Sequence, residues 1–135
     1  QWPSAIKKRE LKALTVETEK HQEAITEIKW QQYLFDLQWR QLKAYAKQND
    51  VEIIGDLPFY VNHQSADVWA QQDIFTLDEE GKIKGIAGVP PDYFNEDGQL
   101  WGMPVFRWDV LKKQHYNWWL KRLQKNIQWF DVLRL

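Results

Sequence analysis

The sequence predicts an α/β fold with parallel strands, read as part of a (β/α)8 TIM barrel. Three observations carry this. Thr18–Gln48 holds neither Gly nor Pro, has helical spacing, and runs into the short apolar segment Val51–Gly55. An amphipathic helix followed by a short apolar run is the rhythm of a parallel sheet. The pattern recurs where helical Trp108–Asn126 precedes the strand-like Trp129–Leu135, so one helix can cross over between two parallel strands. The third observation is spacing. A barrel of about 250 residues spends roughly 31 on each βα unit, whereas about 80 separate these two strands. The excess of about 50 follows the first strand, on the face where barrels carry loops and chemistry. The 135 residues thus read as one fragment of a catalytic barrel domain. Residues 1–48 are helical, 49–107 a strand with an inserted hairpin and loop, and 108–135 a helix and strand.

In chain order, residues 1–16 predict a short helix begun by Pro3 or Ser4, with Lys7, Lys8 and Arg9 on its wet side. Within Thr18–Gln48, Ile25, Ile28, Phe35, Trp39, Leu42 and Ala46 share one face, and Tyr33, Leu34, Leu37 and Tyr45 the opposite one. Lys29, Asp36, Arg40, Lys43 and Lys47 form a charged stripe between them, with Asp36 and Arg40 spaced to pair. A helix with two apolar faces packs against two things at once, so it is expected to be sandwiched in a larger protein. A two-sided coiled coil is the competing reading. Gln48-Asn49-Asp50 ends this helix, Val51–Gly55 forms the first strand, and Pro58 stops it. Asp56 stands at that strand's C-terminal end, where barrel and doubly wound enzymes place their chemistry, or else it caps the next turn. Ser65 is the expected N-cap of a short helix within Phe59–Ala70. Ile74–Leu77 and Lys82–Ile86 predict a small hairpin with Gly81 in its turn. In Trp108–Asn126 the apolar face holds Tyr116, Trp119, Leu120 and Leu123, continuing to Ile127, and Lys112, Lys113, Lys121 and Lys125 take the solvated side.

The stretch Gly88–Pro104, GVPPDYFNEDGQLWGMP, is the most informative. Pro90-Pro91 fixes φ and withholds two N–H donors, so neither helix nor central strand is expected through it. Its glycines supply turns, and the segment reads as a long stiffened loop presenting Tyr93, Phe94 and Trp101 beside Asp92, Glu96 and Asp97. Flat rings with carboxylates suit a sugar, whose C–H faces stack on aromatics while its hydroxyls bond to acidic groups. The alternative is an Ω-loop whose rings tuck into its own core.

Composition bounds the function. With 18 basic and 19 acidic residues, nothing points to nucleic acid or an anionic membrane as partner. The sequence shows neither a run of about 18 apolar residues nor a charged-then-apolar leader, so membrane span and signal peptide are not expected. The absence of Cys excludes disulfides and thiol chemistry and fits a reducing cytoplasm. No metal-ligand spacing is present, and neither metal nor cofactor is expected. Nine Trp are suggestive, because such rings bind carbohydrate as well as fill cores. Trp69, Trp108 and Trp118 are expected to be core or rim filler, and His63 is given no role. The chain begins at Gln1 and its only Met is Met103, so it is expected to be an internal piece of something longer. Two parallel strands alone leave open edges, and self-association of the isolated fragment through them is expected.

Five segments carry a resemblance. Gly55–Val61 (GDLPFYV), Ser65–Trp69 (SADVW), Ala87–Phe94 (AGVPPDYF), Gly98–Gly102 (GQLWG) and Asp131–Arg134 (DVLR) occur in the order and spacing of the 4-α-glucanotransferases. This family is also known as amylomaltases or disproportionating enzymes, glycoside hydrolase family 77. GVPPDYF followed by GQ-x-WG is highly specific. The likeness covers about residues 28–135 and extends more loosely to residue 1. It implies the third and fourth strands of a (β/α)8 barrel with large insertions. It also implies a retaining transfer of α-1,4-glucan segments between maltooligosaccharides through a covalent ester on an Asp. Asp56 resembles the third-strand carboxylate that holds the donor sugar. Tyr93 and Phe94 resemble the loop aromatics covering donor and acceptor, with Asp92 beside them, and Gln99 and Trp101 match that loop's tail. Arg134 resembles the fourth-strand arginine that keeps the nucleophile ionised. By the family's Arg-x-Asp pattern the nucleophile is expected just after Leu135, with the acid/base Glu and a stabilising Asp further on. No catalytic residue proper is therefore expected within the chain, and the isolated fragment is expected to be inactive. Met103 departs from the family's usual Asn. The alternatives are an α-amylase-like hydrolase, a non-catalytic glucan-binding module, and a helical interaction segment on residues 18–48.

Overall fold

The computed structural model describes residues 3–135. In chain order its elements are α1 (Ser4–Lys7), α2 (Leu11–Lys20), α3 (Gln22–Gln48), β1 (Ile54–Asp56), α4 (Ala66–Ala70), a 3-10 turn at Gln72–Ile74, β2 (Ile86–Val89), β3 (Gln99–Pro104), α5 (Trp108–Lys113), α6 (Asn117–Trp129) and β4 (Val132–Arg134). They group into two compact units, one of Gln1–Leu57 with Arg122–Leu135, the other of Pro58–Lys121. Among the described residues no helix is long and apolar enough to cross a membrane.

In the first unit, β1 and β4 pair in parallel, with Ile54, Gly55 and Asp56 opposite Val132, Leu133 and Arg134. The mixed helix–strand architecture and the parallel pairing follow the expected pattern, but both strands are shorter than expected. Asp131 explains the late start: its Oδ2 accepts the Ile53 N–H at 3.0 Å while its own N–H donates to the Ile53 carbonyl at 2.9 Å. That exchange closes the ladder's edge with a side chain. Gly55 is a packing requirement, since a Cβ built there would lie 2.2–2.5 Å from three carbons of the Phe130 ring. Phe130 meets Trp39 of α3 edge-on at 5.6 Å, and the Trp39 indole N–H donates to the Trp129 carbonyl at 2.9 Å.

α3 begins at Gln22, because His21 leaves helical geometry (φ −108°, ψ 21°) and separates it from α2; Thr18 belongs to α2. The Asp36–Arg40 pair forms at 2.7 Å, and Asp36 also accepts from Lys125 at 3.2 Å and the Trp129 indole at 3.3 Å. Trp39 and Phe35 pack onto Trp129 and Phe130, and Ala46 is buried. Ile28, Leu42, Tyr33, Leu37 and Tyr45 remain exposed, so much of both apolar faces has no cover among the described residues.

The second unit is built around Ile74, Phe75, Phe106, Leu111 and Trp119, all at least nine-tenths buried. Ser65 caps α4 as expected, its hydroxyl accepting from Val68 N–H. The expected small hairpin over Ile74–Ile86 is present in short form, its arms joined by Lys84 N–H donating to the Thr76 carbonyl and Asp78 N–H to the Lys82 carbonyl, both at 2.9 Å. Leu77 and Ile83 form a single bridge, Asp78 Oδ1 accepts from Glu80 and Lys82 N–H groups, and Gly81 has φ 75°. The ladder lies further on, where β2 and β3 pair antiparallel. The Gly88–Pro104 stretch is therefore a hairpin rather than a structureless loop. Its prolines permit this because Pro90-Pro91 sits just past β2, where no ladder donor is required. Trp108–Asn126 divides into α5 and α6 at His115 and Tyr116, whose φ values are 52° and 54°. Tyr116 N–H reaches back to the Leu111 carbonyl at 2.8 Å, the six-to-one bond of a Schellman-type stop.

Candidate functional site

Two groups of the predicted residues are assembled, each within one unit. In the first, Asp56 and Arg134 sit opposite one another in the parallel register, so their side chains leave the same face. Arg134 Nε donates to Asp56 Oδ1 at 2.8 Å and Nη2 to Oδ2 at 2.6 Å, a two-pronged pair in which both partners stay exposed. The Arg134 hydrogen bond holds the Asp56 carboxyl below its ordinary range against a smaller opposing effect of burial, and the same bond raises Arg134. The sequence reading gives these residues separate duties, sugar and nucleophile; the structure joins them. The guanidinium has five N–H groups and the carboxylate about four lone pairs, so each retains capacity for another partner.

In the second group, β2 and β3 carry a reversal at 92–98. Asp92 Oδ1 accepts from the N–H groups of Phe94 at 2.9 Å and Asn95 at 2.8 Å, while Asp92 N–H donates to the Asn95 carbonyl at 3.0 Å. Asn95 Oδ1 takes Asp97 N–H at 3.1 Å, and Gly98 turns with φ 69°. Asp92 thus serves the turn through one oxygen. On this frame Tyr93 is 95% and Phe94 92% exposed, meeting edge-on at 5.5 Å. The Ω-loop alternative, with rings tucked inward, does not hold for them.

Trp101 lies where the ladder is irregular. Ile86 pairs with Pro104 and Gly88 with Leu100, so Trp101, Gly102 and Met103 all stand opposite Ala87. Such a bulge bends a strand and re-aims its side chains. Gly102 makes it possible with φ 69°. The Trp101 indole N–H donates to Gln99 Oε1 at 2.9 Å, so Gln99 and Trp101 are joined as well. Tyr60, given no part by the sequence, stands 5.9 Å from Trp101; the one available signal is the adjacent aromatic pair Phe59-Tyr60 in the GDLPFYV segment. Trp118 lies half-buried against Phe75 and Phe106, as the filler reading expects, whereas Trp108 is 49% exposed. His63 Nε2 donates to the Gly81 carbonyl at 2.8 Å, tying down the reversal. Among the described residues no group of three His, Asp or Glu could hold a metal ion.

The structure thus assembles an exposed, flat-ringed hairpin in one unit and a carboxylate–arginine pair at the end of a parallel strand in the other. A family model described as 4-alpha-glucanotransferase matches residues 1–135, and the chain belongs to that family. It is 44% identical over its whole length to a 4-alpha-glucanotransferase of Thermus thermophilus, of which it covers 27%. It is 45% identical to one from a Synechocystis species, again covering 27%. An amylomaltase from Streptococcus agalactiae, solved in complex with acarbose, superposes with a TM-score of 0.93 at 41% identity, over 99% of this chain and 27% of that one. The chain spans about a quarter of the length of these relatives.

Proposed function

We propose that this chain is part of a retaining 4-α-glucanotransferase, contributing the third and fourth strands of its (β/α)8 barrel and the hairpin that covers the substrate. The carrying observation is the hydrogen-bonded turn presenting Tyr93 and Phe94 almost wholly exposed, with Trp101 41% exposed on the same hairpin. Surface that costly in water is explained by a ligand that covers it, and the solved relative carries acarbose. On this reading Tyr93 and Phe94 close over donor and acceptor sugars and exclude water, so that a sugar 4-hydroxyl and not water takes the glucanosyl ester.

Asp56 and Arg134 form the charged pair that serves the reacting centre. A residue two places after Arg134 lies on the same face of the strand, so a carboxylate following Leu135 meets the guanidinium N–H groups that Asp56 leaves unused. A fixed positive charge there keeps the nucleophile ionised, and Asp56 both orients that charge and accepts a donor-sugar hydroxyl. The 135 residues alone are read as inactive, because retaining chemistry takes two carboxyl groups flanking the bond and the family pattern places both beyond Leu135. The bare edges of the β1–β4 pair then make the isolated fragment self-associate, which sedimentation would show as dimers or larger; a monomer at high concentration counts against this.

The test is turnover of maltotriose by the full-length protein. It is predicted to yield glucose and longer maltooligosaccharides with constant total reducing ends, and Tyr93→Ala/Phe94→Ala to raise the hydrolysed share at least about threefold as water enters. A wild type that gains reducing ends in step with turnover would be a hydrolase, and the proposal would be wrong.

A further inference from the structure

We propose, resting on the glucanotransferase reading, that Tyr60 is a positioning residue that holds the Trp101 indole as a fixed sugar platform. A ring binds a sugar face well only if its plane is set beforehand, since each immobilised side chain otherwise lowers affinity. The backbone under Trp101 does not set it. The residue sits in a bulge of a two-stranded ladder, beside Gly102, around whose Cβ position there is open space. Gln99 fixes the indole N–H, but it is exposed and on the same strand, so it moves with what it holds.

Tyr60 reaches Trp101 from a different segment. Its ring lies 5.9 Å from the indole at 55° and stacks at 16° on Phe106, with Phe59 edge-on at 5.0 Å. Phe106 is 4% exposed and in ring contact with Phe75, Trp118 and Trp119. Tyr60 therefore couples the buried aromatic core of its unit to the irregular part of the β2–β3 ladder. The contacts are made by the ring, so the hydroxyl is dispensable.

The experiment uses the full-length protein with Tyr60→Phe, Tyr60→Leu, Trp101→Ala and the Tyr60→Leu/Trp101→Ala pair, reading KM and kcat for maltotriose and near-UV circular dichroism. Tyr60→Leu is expected to raise KM about five- to tenfold, the worth of one aromatic contact, with kcat within about twofold. It should also weaken the tryptophan dichroism, and Tyr60→Phe should restore both. In the Trp101→Ala background the leucine change should add less than about twofold, because the two act as a unit. The same KM penalty with and without Trp101, or failure of Tyr60→Phe to restore the wild-type values, would overturn the proposal. A wild type that transfers no glucan would instead refute the reading beneath it. The dichroism of Tyr60→Leu against Tyr60→Phe would still decide whether Tyr60 fixes the indole.

Discussion

Replacing Gly55 by Ala puts a methyl group where the Phe130 ring stands, and neither partner has an easy retreat. Gly55 lies in the β1–β4 ladder opposite Leu133, so the backbone cannot back away without breaking the pairing that sets Asp56 beside Arg134. Phe130 can swing out only by leaving Trp39. Overpacking a filled site costs about 1–3 kcal/mol, and loss of the edge contact adds about 1 kcal/mol. A total of about 3 kcal/mol is expected, which is roughly a hundredfold in an opening equilibrium. Native-state hydrogen exchange on the full-length protein reads this locally. Leu57 N–H, bonded to the Arg134 carbonyl, and Asp131 N–H, bonded to the Ile53 carbonyl, should exchange about a hundredfold faster in Gly55→Ala. Phe130→Ala should cost less in that background than in the wild type, because the clash is already relieved. Exchange at both amides within threefold of wild type would refute the reasoning, since it would mean the methyl fits.

Two further outcomes follow from hydrogen bonds to carboxylates. Asp36, Asp56, Asp78 and Asp131 all have carboxyls lowered from the ordinary 3.8, Asp36 chiefly by the Trp129 indole, Asp56 by Arg134, Asp78 by Lys82 N–H and Asp131 by Ile53 N–H. A depressed folded-state value means stability that is whole above pH about 3.8 and lost as pH falls through the lowered values; urea midpoints between pH 7 and 2.5 should be flat and then drop, and a midpoint rising on acidification would contradict the assignment. Asp92→Ala removes the acceptor for two backbone N–H groups and should raise KM for maltotriose about fivefold, the worth of a cap-type bond, while Asp92→Asn keeps an acceptor and stays within about twofold. Equal losses in the two variants would mean that the charge matters, for instance on the sugar, and not the turn.

What the sequence made legible was periodicity and local chemistry. The long helix, the Asp36–Arg40 pair, the Ser65 cap and the order of helix and strand depend on residues three or four apart or on one apolar run, and these are visible without coordinates. The breaks were not. His21 and His115-Tyr116 interrupt helices without Gly or Pro, through backbone angles that no residue type at those positions announces. The β2–β3 hairpin was hidden for the opposite reason: Pro90-Pro91 looks like a barrier to pairing, yet it falls one residue past the ladder. The candidate site was partly legible. Tyr93, Phe94 and Trp101 stand out as rings among turn residues, but Asp56 with Arg134 is a contact across 78 positions. Tyr60 with Trp101 depends on a bulge. Register of that kind is settled by packing, not by local pattern.

The decisive measurement is the reducing-end count during maltotriose turnover by the full-length protein. Glucose and longer maltooligosaccharides should accumulate together while total reducing ends stay constant. Reducing ends rising with each glucose released would contradict it, because water and not a sugar would then be taking the glucanosyl unit.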